Sequence, residues 1–241
     1  MARLYHISDL HFGAEDTDAL AAFAARVGAD PPDAIIVTGD LTYRARSREF
    51  DAARDWLAAL GVPVSIAPGN HDLPYFNPWK RFARPYARFR ALEAAICAPL
   101  ALNDVSIVVL DTTARAQWRL DWSEGRVKRK RLARALEAIA AAVEGPPVLV
   151  ACHHPLVELD PEDPVHTAHG EEALARLAAS GAAAVLSGHT HNPFDRLWAQ
   201  GDHSIRLIGA GTLSERLREA PPGFNEVVVD GGAIKVVPHT L

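Results

Sequence analysis

Leu4-Tyr5-His6-Ile7-Ser8-Asp9-Leu10-His11 is an apolar run, readable as a buried strand as far as Ser8, that ends on an Asp-x-His pair. The same pattern recurs down the chain. Ile35 to Thr38 runs into Gly39-Asp40, Val64 to Ala67 into Gly69-Asn70-His71-Asp72, Val148 to Cys152 into His153-His154, and Val185 to Ser187 into Gly188-His189-Thr190-His191. Five strand ends thus deliver carboxylate, amide and imidazole to one rim. A parallel-type sheet places its active crevice outside the carboxyl ends of its strands. The set points to a dinuclear metal centre.

The residue types fit that chemistry. Asp9 and His11 are two positions apart, so in an extended segment they share a side and can grip one ion; His189 and His191 repeat the arrangement. Asp40 has two carboxylate oxygens and can bridge a pair of ions, which an imidazole cannot, and Gly39 permits a tight turn before it. Asn70 adds a neutral oxygen. Mixed nitrogen and oxygen donors without thiolate suit Mn, Fe, Co, Ni or Zn better than a closed structural zinc site, and so many imidazoles fit magnesium alone poorly. Two ions about 3.5–4 Å apart lower the pKa of a bridging water, polarise a phosphoryl oxygen and stabilise charge in an in-line displacement. His71, next to Asn70, is placed to face a substrate and to protonate a leaving oxygen or stabilise its charge. A lone Gly-Asp or Asp-x-His arises by chance; the motifs in order, each at a strand exit, are specific.

With 241 residues, 49% hydrophobic, the chain can bury one sizeable core and is read as a single domain, 1–241. A formal net charge of -5 argues against extended nucleic-acid or acidic-membrane binding. No signal-like segment opens the chain, and no apolar run approaches the roughly 20 residues of a membrane span. Cys97 and Cys152 lie far apart, which fits a reducing compartment, and cytoplasm is the expected location.

Strand and helix periods alternate. Leu20, Phe23, Ala24 and Val27 form a helical stripe with Asp16 or Thr17 as N-cap, and a second helix runs from Ser47 through Phe50, Ala53, Leu57 and Leu60 to Gly61. This β-α-β-α-β order predicts right-handed crossovers. The segment Leu73 to Pro99 interrupts it with Pro74, Pro78 and Pro85, aromatics from Tyr75 to Phe89, and the cations Lys80, Arg81, Arg84, Arg88 and Arg90. It reads as a helical cap beside the site, compatible with an amphipathic helix whose aromatics face the core and whose arginines face water. Ser106 to Leu110 is a further strand, and Arg126 to Val143 a helix whose cations Arg126, Lys128, Arg129, Lys130, Arg131 and Arg134 read as a solvated face. After the acid-rich loop Leu159 to His166 comes a helix from Gly170 to Ala179, then strands at Ile205 to Gly209, Glu226 to Val229 and Ile234 to Val237, with Asp230-Gly231-Gly232 signalling a hairpin. His6 reads as a core residue and Cys152 as a buried inert thiol. His166, His169, His203 and His239 read as solvent-facing, while Lys80, Arg84 and Arg115 are candidates to reach a second phosphate.

From Asp9 to His191 the chain resembles the calcineurin-like metallophosphoesterases, whose pattern is D-x-H, G-D, G-N-H-D/E, H and G-H-x-H. The resemblance implies an α/β fold of two mixed β-sheets packed as a sandwich with flanking helices, four layers in all, and metals on the loops at one edge. It implies that Asp9, His11, Asp40 and His191 hold one metal, that Asp40, Asn70, His153 and His189 hold the other, and that His71 is catalytic. His153 matches the family's ligand; His154 would lie behind it or face substrate, and Asp72 would orient its neighbours by hydrogen bonds. Gly39-Asp40-Leu41-Thr42 lacks the G-D-x-x-D-R-G of serine/threonine phosphatases, His71 stands where UDP-diacylglucosamine hydrolases carry Arg, and the long C-terminal extension of DNA-repair nucleases is missing. The likeness is greatest to bacterial cyclic-nucleotide phosphodiesterases. The expected function is hydrolysis of a small phosphodiester, a 3′,5′-cyclic nucleotide first, by attack of a metal-bridging hydroxide. Alternatives are a phospholipid head-group or nucleotide-sugar phosphohydrolase, a nuclease, or a catalytically silent interaction scaffold, although a scaffold is expected to have lost ligands that are all present here.

Overall fold

A computed structural model describes residues 1–74, 78–114, 123–142, 144–159 and 166–241. Arg115, the expected cap aromatics Tyr75 and Phe76, and positions 160–165 of the acid-rich loop lie outside them. Along the chain run β1 (Ala2–Ile7), α1 (Thr17–Ala29), β2 (Ala34–Val37), α2 (Ser47–Ala59), β3 (Val64–Ile66), a 3₁₀ turn at Asn70–Asp72, α3 (Pro78–Ala83), α4 (Ala87–Ile96) and β4 (Ser106–Val109). They are followed by β5 (Gly125–Arg126), α5 (Arg129–Ala142), β6 (Val148–Ala151), β7 (Thr167–Ala168), α6 (Gly170–Ala179), β8 (Ala182–Ser187), β9 (Phe194–Gln200), β10 (His203–Gly209), β11 (Gly223–Asp230) and β12 (Ala233–Thr240).

Two five-stranded sheets result, in the orders β12-β11-β1-β2-β3 and β4-β6-β8-β10-β9, with β5 and β7 as a separate pair. The strands β1-β2-β3 are parallel to one another, as are β4-β6-β8-β10, while β11, β12 and β9 are antiparallel to their neighbours. Alternation along β1 shows how the layers stack. Tyr5 and Ile7 turn toward the helices and join Phe23, Val27, Phe50 and Leu57. Leu4 turns the other way, meeting Ile36 of its own sheet and Leu149, Leu186 and Ile208 of the second. On that sheet's far side Val148, Val150 and Val185 pack against Leu132, Ile139, Leu174 and Leu177 of α5 and α6. The order helix, sheet, sheet, helix is the expected four-layer arrangement.

Local signals account for the helix ends. Asp16 caps α1, its Oδ1 accepting from the Asp18 and Ala19 N–H groups, and Gly61 follows α2 with φ +69°. The stripe Leu20, Phe23 and Val27 is buried, at about 1.5–3 kcal/mol per side chain, so a polar residue at Phe23 would detach α1 from β1. Gly231 and Gly232, both at positive φ, close the β11–β12 hairpin, and Pro238 sits on the outer strand where its missing N–H costs nothing.

Several expectations need correction. Arg126 belongs to β5 and the helix begins at Arg129, because Gly125 and Arg126 pair with Thr167 and Ala168. β9 has no counterpart in the sequence reading; it is an edge strand whose side chains are mostly exposed, so no burial alternation marks it. The cations are not all solvated. Arg131 pairs with Asp111 at 2.7 Å and also donates to the Thr113 carbonyl and the Tyr86 hydroxyl, while Arg81 is buried and reaches the carbonyls of Pro74 and Ala114. α4 turns Phe89 and Leu92 into the core shared with α2. Of the described residues, no helix is long and apolar enough to cross a membrane.

Candidate metal centre

Every residue singled out as a ligand follows a parallel strand on the same edge: Asp9 and His11 after β1, Asp40 after β2, Asn70 and His71 after β3, His153 after β6, and His189 and His191 after β8. Their local conformation was not legible from spacing. Asp9 (φ 56°), His11 (46°), Asp40 (53°), His189 (71°) and His191 (59°) all lie in the left-handed region, so the pleat of an extended strand does not explain how each pair converges. β1 stops at Ile7 and the chain coils back at Asp9 and again at His11. Such residues cost about 1–3 kcal/mol each and gather at functional sites.

Neighbouring loops hold the coils in place. Asp9 N–H donates to the Gly39 carbonyl (3.0 Å), His11 N–H to the Asp40 carbonyl (2.9 Å) and Gly188 N–H to the His153 carbonyl (3.0 Å). His71 N–H donates to Asp40 Oδ1 (2.8 Å), His189 N–H to Asp9 Oδ2 (2.9 Å), and the Thr212 hydroxyl to the Asp9 carbonyl (2.7 Å). Two glycines are required by proximity. A Cβ on Gly69 would lie 2.1 Å from Asp40 Oδ1, and one on Gly188 would lie 1.8 Å from Ser8 Oγ and 2.6 Å from Asp9 Oδ2.

The donor atoms form overlapping groups: Asp9, His11 and His191; Asp9, Asp40 and His153; His11, Asp40 and His71; and His153, His154 and His189. His191 Nε2 is 3.1 Å from Asp9 Oδ1 and 3.4 Å from His11 Nε2, and His11 Nε2 is 3.7 Å from Asp40 Oδ2. On the other side of Asp40, His153 Nε2 is 3.4 Å from Oδ2, 3.0 Å from Asn70 Oδ1 and 3.2 Å from His189 Nδ1. Backbone carbonyls fix the tautomers: His153 Nδ1–H donates to Thr38 and His191 Nδ1–H to Arg216, leaving both Nε2 lone pairs aimed inward. Acceptors therefore face acceptors. Asp9 Oδ1 and His11 Nδ1, both buried, have no hydrogen-bond partner. A cation among these atoms would satisfy that geometry, and the nitrogen and oxygen donors suit a transition metal.

Electrostatics agree. Asp9 and Asp40 are buried carboxylates, and burial alone would raise their pKa values. The surrounding imidazoles outweigh it, His191 foremost at Asp9 and His153 foremost at Asp40, and hold both well below the usual carboxylate range. Burial also opposes charge on His153, yet Asp40 and Asp9 push it up to about 9, so a proton on Nε2 competes with a metal ion for the position between His153 and Asp40. Burial and the neighbouring His153 push His189 down to about 3. Two fixed negative charges thus draw positive charge into the cage.

His71, His154 and Asp72 separate by their partners. His71 Nδ1–H donates to the Tyr43 carbonyl (2.7 Å), its ring stacks on Tyr43 at 5.7 Å, and its Nε2 faces the pocket. Both nitrogens of His154 are used by the fold, one by the Thr112 hydroxyl and one by the Ser123 carbonyl, each at 2.8 Å. Asp72 is buried and accepts from Leu41 N–H, Thr42 N–H, the Thr42 hydroxyl and Gly69 N–H, tying the Asp40 loop to the Asn70 turn. His6 is buried as expected and His166, His169 and His203 are exposed, but His239 is half-buried, its ring stacked on Phe224 and its Nε2 2.9 Å from Glu226 Oε2.

Above the cluster opens a pocket of about 360 Å³ lined by Asp40, Asn70, His71, Ser123, His189, His191, Arg216, Leu217 and Arg218. Among the described residues, none of these comes from 73–99; the side chain of Lys80, a candidate to reach a second phosphate, lies outside the described residues. Sequence reasoning missed Arg216 and Tyr43. Tyr43 carries no motif, and Arg216 lies seven residues beyond the end of β10, farther from its strand than any residue the strand-exit pattern marks.

The sequence matches the calcineurin-like phosphoesterase family over residues 2–193. It is 29% identical over 212 residues to a probable cyclic nucleotide phosphodiesterase of Rhodopseudomonas palustris, covering 80% of this chain and 72% of that one. It is 26% identical over 213 residues to a glycerophosphodiester phosphodiesterase of Enterobacter lignolyticus, covering 78% of this chain and 70% of that one. A dimetal phosphatase from Danio rerio shares the fold, with a TM-score of 0.71, 14% identity, and 98% of this chain and 95% of that one covered. Since the family match begins at β1 and ends just past His191, it takes in every strand exit that feeds the Asp40 cluster, and the chain belongs to the calcineurin-like phosphoesterases, a family of metal-dependent phosphoester hydrolases.

Proposed function

We propose that this chain is a phosphodiesterase acting on a small phosphodiester, with a 3′,5′-cyclic nucleotide as the first substrate to test. Convergence of two imidazole-rich groups on one buried carboxylate, that of Asp40, carries the proposal. Asp9, His11, Asp40 and His191 would hold one transition-metal ion and Asp40, Asn70, His153 and His189 a second, with Mn, Fe, Zn, Co and Ni all compatible with the donors. The chemistry that two such ions supply when bound is polarisation of a phosphoryl oxygen and acidification of water.

The chain's own groups do the rest. Asp72 keeps the Asp40 and Asn70 segments in register through its four acceptor contacts. His71 has Nδ1–H committed to Tyr43, so Nε2 is the atom that would take up a proton, forming the imidazolium, and pass that proton to the departing alkoxide oxygen, returning the ring to its neutral form. The whole chain acts as one domain in this proposal, with 73–99 an insertion at the side of the pocket. Similarity to enzymes named for cyclic nucleotides and for glycerophosphodiesters supports a small diester and leaves the head-group diester as the second reading.

The test is hydrolysis of bis-p-nitrophenyl phosphate with added Mn, beside Asp40→Ala and His71→Ala. Asp40→Ala is expected to lose both metal and turnover, and His71→Ala to keep metal while turning over about 100-fold or more slowly. Equal activity in all three proteins refutes the assignment. A panel of a cyclic nucleotide, a glycerophosphodiester, a nucleotide sugar and a DNA oligomer then ranks substrates, and preference for the oligomer would overturn the small-diester reading.

A further inference from the structure

We infer that Arg216 is the anion-binding residue of this pocket, the side chain that receives a non-bridging oxygen of the substrate's phosphate; the inference rests on the phosphoesterase reading above. Arg216 follows β10, which lies next to β8 in the second sheet, so its loop reaches the same rim as the His189 and His191 loop. That loop is anchored beneath the side chain. The Thr212 hydroxyl donates to the Asp9 carbonyl, Ser214 Oγ lies 2.7 Å from Thr212 Oγ1, and the Arg216 carbonyl accepts from His191 Nδ1–H.

The guanidinium itself is aimed inward. Its Nη1 is 3.1 Å from His71 Nε2 and 3.5 Å from His11 Nε2, and its Cζ lies 5.6 Å from the centre of the Tyr43 ring. A guanidinium is charged at every working pH, has five donors and no acceptor, and matches phosphate with a planar fork. Here, among the described residues, it faces imidazole nitrogens and an aromatic surface and forms no ion pair with a carboxylate. A cation held on an aromatic ring over a pocket, with donors left for an anion, is preorganised for an oxyanion. The nearest donors to His71 Nε2 in the free protein are thus the ones a phosphate would engage, which places the phosphate beside the proposed proton donor.

The experiment measures inorganic phosphate binding to the Mn-loaded protein by titration calorimetry, for wild type, Arg216→Gln and Arg216→Lys, with metal content and bis-p-nitrophenyl phosphate kinetics in parallel. Because the His191 contact uses the Arg216 carbonyl, both variants are expected to keep wild-type metal content. Arg216→Gln should weaken phosphate by about 10- to 100-fold and raise KM alike, with kcat changed by less than about threefold, and Arg216→Lys should recover part of the loss. A phosphate Kd within about twofold of wild type in Arg216→Gln overturns the inference. So does loss of metal in both variants, which would make the loop merely structural. If wild type fails to hydrolyse the diester while Arg216→Gln still loses phosphate affinity, the hydrolase proposal falls and the anion site stands.

Discussion

Asp72→Asn tests whether the site is held together by a buried acceptor that never touches substrate. The Asp72 carboxylate accepts from Thr42 N–H (2.9 Å) and the Thr42 hydroxyl (3.1 Å) on Oδ1, and from Gly69 N–H (2.9 Å) and Leu41 N–H (3.3 Å) on Oδ2. An amide of the same shape keeps one oxygen and must turn its NH₂ toward one of these pairs. Toward Gly69 and Leu41 it would leave two buried backbone donors unpaired. Toward Thr42 it leaves one, because the hydroxyl can accept from the amide and donate to the His71 carbonyl, already 3.1 Å away. The second orientation wins. An unpaired buried donor costs about 1–3 kcal/mol, so the expected loss is about 2 kcal/mol, partly offset by relief of the burial and Asp40 repulsion that push Asp72 up to about 7. Asp72→Ala orphans the three backbone donors and should cost at least twice as much. Urea unfolding followed by circular dichroism reads the loss directly. Metal content should fall in Asp72→Ala, where the Asp40 loop and Asn70 turn lose their tie, and less in Asp72→Asn, whose remaining oxygen still accepts from Leu41 and Gly69. Stability and metal content of Asp72→Asn equal to wild type would refute the reasoning.

Three further outcomes are expected. Gly69→Ala puts a methyl group 2.1 Å from Asp40 Oδ1 and 2.2 Å from Asp40 N, so turnover should drop on the order of 100-fold with loss of bound metal; full metal occupancy would contradict this. Burial pushes His6 down to about 3, and its ring suits the neutral form, with Asn225 donating to Nδ1 and Nε2–H facing Thr38 Oγ1 at 3.0 Å. The unfolded chain then binds a proton below about pH 6.5 that the folded chain refuses until about pH 3, so this term is harmless above 6.5 and destabilises increasingly as pH falls. His6→Gln should flatten the stability slope between pH 6 and 4 by up to about 1.4 kcal/mol per unit, measured as the difference from wild type in urea midpoints; parallel slopes would count against it. Burial, with Glu93 adding to it at Cys97, pushes Cys97 up to about 11, and burial pushes Cys152 up to about 12. Iodoacetamide at pH 8 should therefore label Cys97 about two and Cys152 about three orders of magnitude more slowly in the folded protein than in urea, and rapid native labelling of Cys152 would disprove its burial.

What the sequence made legible was whatever repeats along the chain. The stripe of Leu20, Phe23 and Val27 announces α1 because a helix returns to the same face every 3.6 residues, and the apolar runs before Asp9, Asp40, Asn70, His153 and His189 announce strands buried on both faces. β9 escapes since an edge strand with Leu197 in water has no buried face to impose a pattern. β5 and β7, each two residues long, are too short for any period. Arg131 reads as one more cation on a solvated helix until Asp111, twenty positions earlier, is seen at 2.7 Å. Pairings of that kind depend on how elements meet and leave no trace in local composition.

The ligand motifs are legible for a different reason. Three of them, at Asp9-Leu10-His11, Gly39-Asp40 and His189-Thr190-His191, place L-residues at positive φ, and at two, Gly69 and Gly188, another strand's carboxylate passes so close that a Cβ cannot be accommodated. Gly69 lies against Asp40 and Gly188 against Asp9, so these two glycines each mark a carboxylate contributed by a different strand. Five left-handed residues at about 1–3 kcal/mol each amount to a sum comparable with the whole stability of a domain. That strain persists because each loop is fastened to the next: β1 to β2 through Asp9 and Gly39, β2 to β3 through Asp72, β6 to β8 through Gly188, and β10 to β1 through Thr212. Loops linked in this way cannot relax one at a time. The rigidity needed to hold like-charged carboxylates together is therefore supplied by the same backbone contacts that determine which residues can occupy the motifs.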